Sequence, residues 1–283
     1  MRLYLASTSP ARRALLAQSG IEPVLVAPGV DEDAAAAAAR DALGRDLTGP
    51  ELVALLAVAK ADAVADASVP GSPVDGFVFG GDSAFEVDGR LYGKPHDPEV
   101  ARERWWQMLA AGGGTLWSGH CVVDRRRDAT TGRTGPTPPV PDRRASGGPA
   151  VPVGRGPGRA RTEPPVRDVA GSTAALASPA TVPSLGPVAP GGSALVVDGD
   201  HVVAVDSAVL TFADDVSPEE IDAYVATGEP LEVAGAFTID GRAAAYITRI
   251  DGAPSAVVGL SLPVLRSMLL RGFGVSWHDF WAL

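Results

Sequence analysis

The chain has a single cysteine, Cys121, in 283 residues. That excludes an intrachain disulfide and any zinc site built on several thiolates, and it fits a reducing compartment. Long apolar runs are missing too: nothing approaches about 18 consecutive apolar residues, so no membrane-spanning helix is expected. The stretch from Met1 to Ala6 reads as a strand start rather than a secretory leader, and the expectation is a soluble, cytoplasmic protein. Aromatic residues vanish from the middle of the chain, with no Phe, Trp or Tyr between Trp117 and Phe212. Pro, Gly, Ala, Ser and Arg dominate there, and thirteen prolines fall between Thr134 and Ser193. Such a tract cannot bury enough apolar surface to offset the entropy of ordering it, so residues 134–194 are predicted to be a disordered insert. Residues 1–133 and 195–283 then form one discontinuous domain.

Charge is unevenly placed. The net charge is −10, yet residues 125–193 hold ten Arg and no Lys against four acids. The body is therefore strongly acidic, which argues against a nucleic-acid-coating surface; neither nucleic acid nor membrane is an expected partner.

Local signals divide the body into strands alternating with helices at both ends and hairpins in the middle. Ser9 and Pro10 start a helix that Gly20 ends, Thr48 and Pro50 open a long helix to about Asp66, Asp97 and Pro98 open another to about Ala111, and Ser217-Pro-Glu-Glu220 is a capping box. Phe77-Val-Phe79 reads as a buried strand that Gly80-Gly81 ends before Asp82, and Phe85 to Tyr92 as a hairpin turning at Asp88-Gly89. His120 to Asp124 and Val202 to Phe212 are strands with the insert hung between them, and Leu195 to Val203 offers an extra hairpin at the sheet edge. The fold class is α/β, a mixed sheet flanked by helices.

Arg2 to Leu16 is the densest stretch of chemistry. An apolar strand runs through Ser7, Thr8 and Ser9 into a helix whose free N–H groups and positive dipole end meet Arg12 and Arg13. That is an anion site suited to phosphate, although an ordinary junction with two solvated arginines shares the pattern. Lys60 falls mid-helix, where a lysine is usually solvated, and an aspartate after Gly-Gly, as Asp82 is, is often a turn residue. His96, His120, His201 and His278 are too scattered for a metal cluster and read as structural or surface residues. Trp277, Phe280 and Trp281 read as a packing or homodimer contact.

Leu5-Ala-Ser-Thr-Ser-Pro-Ala-Arg-Arg-Ala-Leu-Leu16 resembles the opening motif of the Maf family, the septum-formation-inhibitor-like nucleotide pyrophosphatases. Val30-Asp-Glu32, Ala59-Lys-Ala61, Gly80-Gly-Asp-Ser83, Gly93-Lys-Pro95, Ser118-Gly-His120, Gly228-Glu-Pro230, Ala234 to Gly241 and Val257 to Pro263 match further blocks in the family's order. The resemblance covers about residues 1–133 and 195–272 and implies a Maf/ITPase-like sheet with two lobes around a cleft.

The resemblance also implies a reaction: a nucleoside triphosphate is cut between its α- and β-phosphates, releasing a nucleoside monophosphate and pyrophosphate. Asp82 is then the proton acceptor, and Ser7, Ser9, Arg12, Arg13, Lys60 and Lys94 are substrate-binding. Such chemistry needs cations, a base and a divalent metal, Mg²⁺ or Mn²⁺, for which Glu32 and Asp82 are the candidate ligands with Asp31 nearby. Ala11, Ser83 and Asp240 map onto positions linked to base selection. All three depart from the patterns of members acting on dTTP and UTP or on 7-methyl-GTP, which leaves the base, canonical or modified, open. Trp117 stands where the family often has histidine. A nucleotide-binding regulator of septum formation without obligatory turnover is the rival function, and a phosphatase releasing orthophosphate stepwise is a second.

Overall fold

The computed structural model describes residues 1–69, 71–127 and 181–281. In chain order the elements are β1 (Leu3–Ala6), α1 (Pro10–Gln18), β2 (Val24–Val26), α2 (Glu32–Leu43), α3 (Gly49–Ala65), a small hairpin of β3 (Ser68–Val69) and β4 (Ser72–Pro73), β5 (Phe77–Val87) and β6 (Arg90–Tyr92). There follow α4 (Pro98–Ala111), β7 (Gly113–Asp124), β8 (Ser193–Asp198), β9 (His201–Phe212), α5 (Pro218–Ala226), short 3-10 turns between Glu229 and Tyr246, β10 (Ile247–Asp251), α6 (Pro254–Val257) and α7 (Leu262–Phe273). The helix starts obey local chemistry. Ser9, Asp97 and Ser217 each accept a backbone N–H of the first turn ahead of a proline, and glycines in the left-handed region close α2, α4 and α7.

The main sheet is mixed and runs β10-β9-β7-β5-β1-β2, with β6 added beside β5 and β8 beside β9. β1 is parallel to β2 and β5, and the remaining pairs are antiparallel. One face is covered by α3 over Val78, Ala84, Trp117, Cys121 and Val205. The opposite face is covered by α7 over Leu5, Phe79 and Val122 at one end and by α4 and α5 around Phe85, Leu116 and Leu210 at the other.

One expected boundary is corrected. Gly80-Gly81 does not end the strand: β5 runs unbroken from Phe77 to Val87, and its ladder with β7 continues from Phe77↔Asp124 to Glu86↔Thr115. The glycine at 80 serves helix contact instead. A Cβ there would stand 2.3 Å from the Ala57 carbonyl oxygen, and one on Gly119 2.0 Å from the Val53 oxygen, so α3 lies directly on the sheet backbone.

The sheet forks along β5. β1 pairs with its residues 77–80 and β6 with residues 85–87, which leaves positions 81–84 with β7 on one edge and no strand on the other. Side chains from both faces converge there, just beyond the carboxyl end of β1, where open α/β sheets place their ligands.

The connection between β7 and β9 contains the predicted insert, most of which lies outside the described residues. Its last part is built into the body. Val182, Leu185 and Val188 pack on the core, Ser207 donates to the carbonyl of Gly192 at 3.0 Å, and β8 already begins at Ser193. The extra hairpin at Leu195 to Val203 is present as β8–β9, turning at Gly199. At the chain's far end Phe280 is buried against Phe77, while the exposed Trp281 donates from its indole to the Ser19 carbonyl at 3.1 Å; both are packing contacts.

At the root of that connection, His201 bridges α3 and the β8–β9 turn, 2.7 Å from Asp62 and 2.6 Å from Asp200, with Arg125 also paired to Asp200 and Asp66. The hydrogen bond to Asp62 is the main influence raising the His201 pKa above its ordinary 6.5, against the opposing effect of burial. A raised imidazole pKa gives stability that is complete below the unfolded value and is lost as pH climbs through the folded one. Thermal unfolding of the wild type should therefore lose more stability as pH rises above the ordinary histidine value of 6.5 than His201→Gln does; equal slopes would rule the bridge out as a source.

Candidate active site

The open stretch of β5 collects most of the residues singled out by sequence. On the α3 face, Asp82 is 8% exposed and its Oδ1 lies 2.7 Å from Lys60 Nζ. Lys60 is 7% exposed and also reaches Glu32 Oε1, on the first turn of α2, at 2.7 Å. Lys60 can touch Asp82 because α3 rests on the glycines of β5 and β7 without intervening side chains. On the other face Arg12, at the third position of α1, is buried: its Nε donates to the Gly259 carbonyl at 2.8 Å, Nη1 to Ser7 Oγ at 3.3 Å and Nη2 to Ser83 Oγ at 3.1 Å. Three of its five N–H donors are held, which leaves two for a ligand.

Burial dominates the electrostatics. It pushes the Asp82 carboxyl above the ordinary 3.8, with Lys60 pulling back and Glu32 adding to the rise. Burial likewise works against the charged form of Arg12, while Asp82 and Glu32 support it across the open edge. A carboxylate with a raised pKa is a stronger base at neutral pH than an ordinary one.

The helix start behaves as an anion site should. Ser9 Oγ accepts from Arg12 N at 3.3 Å, Ser7 Oγ from Ser9 N at 3.1 Å, and Pro10 has no N–H, so the Ala11 N–H is left without an acceptor among the described residues. Ala11 is half-buried and adds no polar side chain to this mouth.

Other expected residues stand elsewhere. Arg13 turns from the fork to Glu22 at 3.6 Å. Lys94 is on the loop after β6, half exposed and 3.8 Å from Glu232, apart from the Lys60 cluster. Asp31 is the N-cap of α2, its Oδ1 accepting from Ala34 N at 2.9 Å. Asp240 is exposed and accepts from the Thr238 hydroxyl. Trp117 is a core residue, 4% exposed, donating to Glu86 Oε2 at 2.7 Å and filling the space beside Gly49. That corner borders a cavity of about 1190 Å³ between α2, the β5–β6 hairpin and the 183–190 strand-side segment, away from Asp82.

Glu32 and Asp82 fit a divalent cation in donor type and convergence, since oxygens of both contact one ammonium nitrogen. Among the described residues no group of three His, Cys, Asp or Glu side chains joins them. Two carboxylates suit Mg²⁺, which is commonly held by one or two carboxylates together with substrate phosphates.

The sequence model of one family, described as Maf-like protein, matches residues 2–137 and 190–272. The chain belongs to the Maf family. Curated relatives agree over nearly its whole length. A nucleoside triphosphate pyrophosphatase of Leifsonia xyli subsp. xyli is 42% identical over 281 residues, covering 99% of this chain and 97% of the relative. One of Nocardia farcinica is 38% identical over 279 residues, 99% and 96% of the two chains, and one of Streptomyces coelicolor 35% over 282 residues, 99% and 95%. The Maf opening motif thus spans β1 and the start of α1, and the Gly-Gly-Asp-Ser block is the fork of β5. The sequence assigns Gly259 and Ser261 no role and His120 only a structural or surface one, although the matched blocks contain all three; only the spatial pairing of β7 with the α6–α7 turn brings them to Arg12.

Proposed function

We propose that this protein hydrolyses nucleoside triphosphates to a nucleoside monophosphate and pyrophosphate. The observation that carries the reading is the open edge of β5, where Asp82, Lys60, Glu32 and Arg12 meet beside a helix N-terminus. Catalysis of this kind is mostly positioning and charge stabilisation of phosphate oxygens. Arg12 and the Ala11 N–H bind phosphate oxygens at the mouth of α1. Asp82 takes the proton of the attacking water, its basicity raised by burial. Lys60 holds Asp82 in place and neutralises charge on the transferred group. Glu32 and Asp82 would hold Mg²⁺ or Mn²⁺ brought with the nucleotide, and the cation neutralises phosphate charge when bound. Ser83, bonded to Arg12, is the base-selecting position that lies at the fork itself.

The test is an assay of purified protein against canonical and modified triphosphates, with and without Mg²⁺ or Mn²⁺. Pyrophosphate together with the nucleoside monophosphate is the expected product. Orthophosphate released stepwise would indicate a phosphatase, and binding without turnover a nucleotide-binding regulator.

Lys94 is proposed as an outer phosphate contact. Its half-exposed setting limits the effect, so Lys94→Ala should cost kcat/KM about 1 kcal/mol, near the value of an exposed charge pair. Steady-state kinetics at fixed metal decide this; a loss as deep as that of Lys60→Ala would place Lys94 inside the closed site.

A further inference from the structure

His120 is a fully buried histidine on β7 that the proposed chemistry does not use. It lies on the Arg12 face of the sheet, opposite Gly81, against the Phe79 ring. Its Nε2 accepts the backbone N–H of Ser261 at 2.8 Å, which fixes a neutral ring with the proton on Nδ1. Burial above all, aided by the Arg12 charge, holds its pKa down at about 3, so the ring keeps this acceptor across the physiological range.

Ser261 is one end of a short turn whose other end is Gly259, and the Gly259 carbonyl is the strongest anchor of Arg12, at 2.8 Å from Nε. The turn has almost no freedom. Gly259 has φ +91, and a Cβ on it would stand 2.6 Å from Ser83 Oγ and 3.0 Å from Arg12 Nη2. Ahead of it, Ser118 Oγ donates to the Ala256 carbonyl at 2.8 Å; behind it, Ser261 caps α7. The turn is therefore clamped between His120 on the sheet and Arg12 in the cleft. Without an acceptor at Nε2, a buried N–H is left unpaired and the turn must move to find another partner.

We propose that His120 is a positioning residue: by holding the Ser261–Gly259 turn it aims the free N–H groups of Arg12 at the phosphate chain of the substrate. This rests on the reading of the fork as a triphosphate site. The effect should appear in ground-state binding of phosphate more than in the turnover step, because His120 touches neither the water nor Asp82.

The experiment is a double-substitution cycle read by binding of inorganic tripolyphosphate and by KM and kcat for a hydrolysed triphosphate. His120→Phe should weaken tripolyphosphate binding and raise KM by about tenfold, with kcat changed much less. His120→Gln, whose amide oxygen can replace Nε2 as acceptor, should restore both. Gly259→Ala, which leaves His120 intact and pushes directly on Arg12, should reproduce the weakening and covers the case in which His120→Phe fails to fold. In an Arg12→Ala background, replacing His120 should add nothing, since its influence passes through the arginine. Additive losses, or wild-type binding by His120→Phe, would overturn the proposal while leaving the triphosphate site intact. Failure of the wild-type protein to bind tripolyphosphate would instead overturn the site itself.

Discussion

Asp82→Asn is expected to lower pyrophosphate release on the order of a thousandfold, the contribution of a well-placed general base. The amide keeps the shape of the carboxylate, and Lys60 retains Glu32 as a partner, so the melting temperature should change little. The wild-type pH profile carries the same information. The base must be ionised to act, and burial raises its pKa above the ordinary 3.8, with Glu32 adding and Lys60 and Arg12 offsetting. Activity should be full above that raised value and fall as pH drops through it, with the acid limb of kcat/KM above the usual carboxylate range. A coupled pyrophosphate assay across pH tests both statements; an active Asp82→Asn protein would move the base to another group.

Lys60→Ala is expected to cost roughly 3 to 4 kcal/mol in kcat/KM, the upper part of what a charge partner contributes in a partly dry cleft. The substitution removes the one side chain that, among the described residues, contacts both Glu32 and Asp82 at 2.7 Å. Two carboxylates then face each other with less compensation, and the Asp82 pKa climbs further. Stability should fall as well, by about 1 to 3 kcal/mol, because the buried partner of the pair loses its hydrogen bond. Lys60→Arg restores charge but not the single compact donor, and should recover stability better than activity. Calorimetry beside single-turnover kinetics separates the two losses. Wild-type kcat/KM in Lys60→Ala would reduce the lysine to a structural tie between α2, α3 and β5.

Features set by neighbouring residues were legible in the chain itself. The caps at Ser9, Asp97 and Ser217 stand where hydroxyl or carboxylate precedes proline, and the Asp88-Gly89 turn joins β5 to β6. What escaped a linear reading depends on distant contacts. Gly80 looks like part of a strand end until α3 is laid on it, and the capping of α2 by the Asp31 carboxylate shows only in the folded chain. β10 was not foreseen, because Ile247–Asp251 alternates too briefly to announce an edge strand; it is set by its antiparallel partner β9. The site shows the same division. The residues of the fork sit in recognisable motifs, but the anchoring of Arg12 by a carbonyl 247 positions away is a property of the folded sheet alone.

The β7–β9 pairing also governs how fast this protein reaches its native state. These strands form the centre of the sheet, yet Val123 meets His201 only after about eighty residues of intervening chain have been looped out, an entropic search completed before the ladder returns any stabilisation. Halving that loop lowers its closure cost by only about 0.6 kcal/mol, so a shortened chain that keeps residues 181–192 should be scarcely more stable. Its refolding should nevertheless quicken by up to a few-fold while its unfolding rate stays put, because the loop is already closed when unfolding begins. Nucleation, rather than the endurance of the finished sheet, is where the length of this connection is felt.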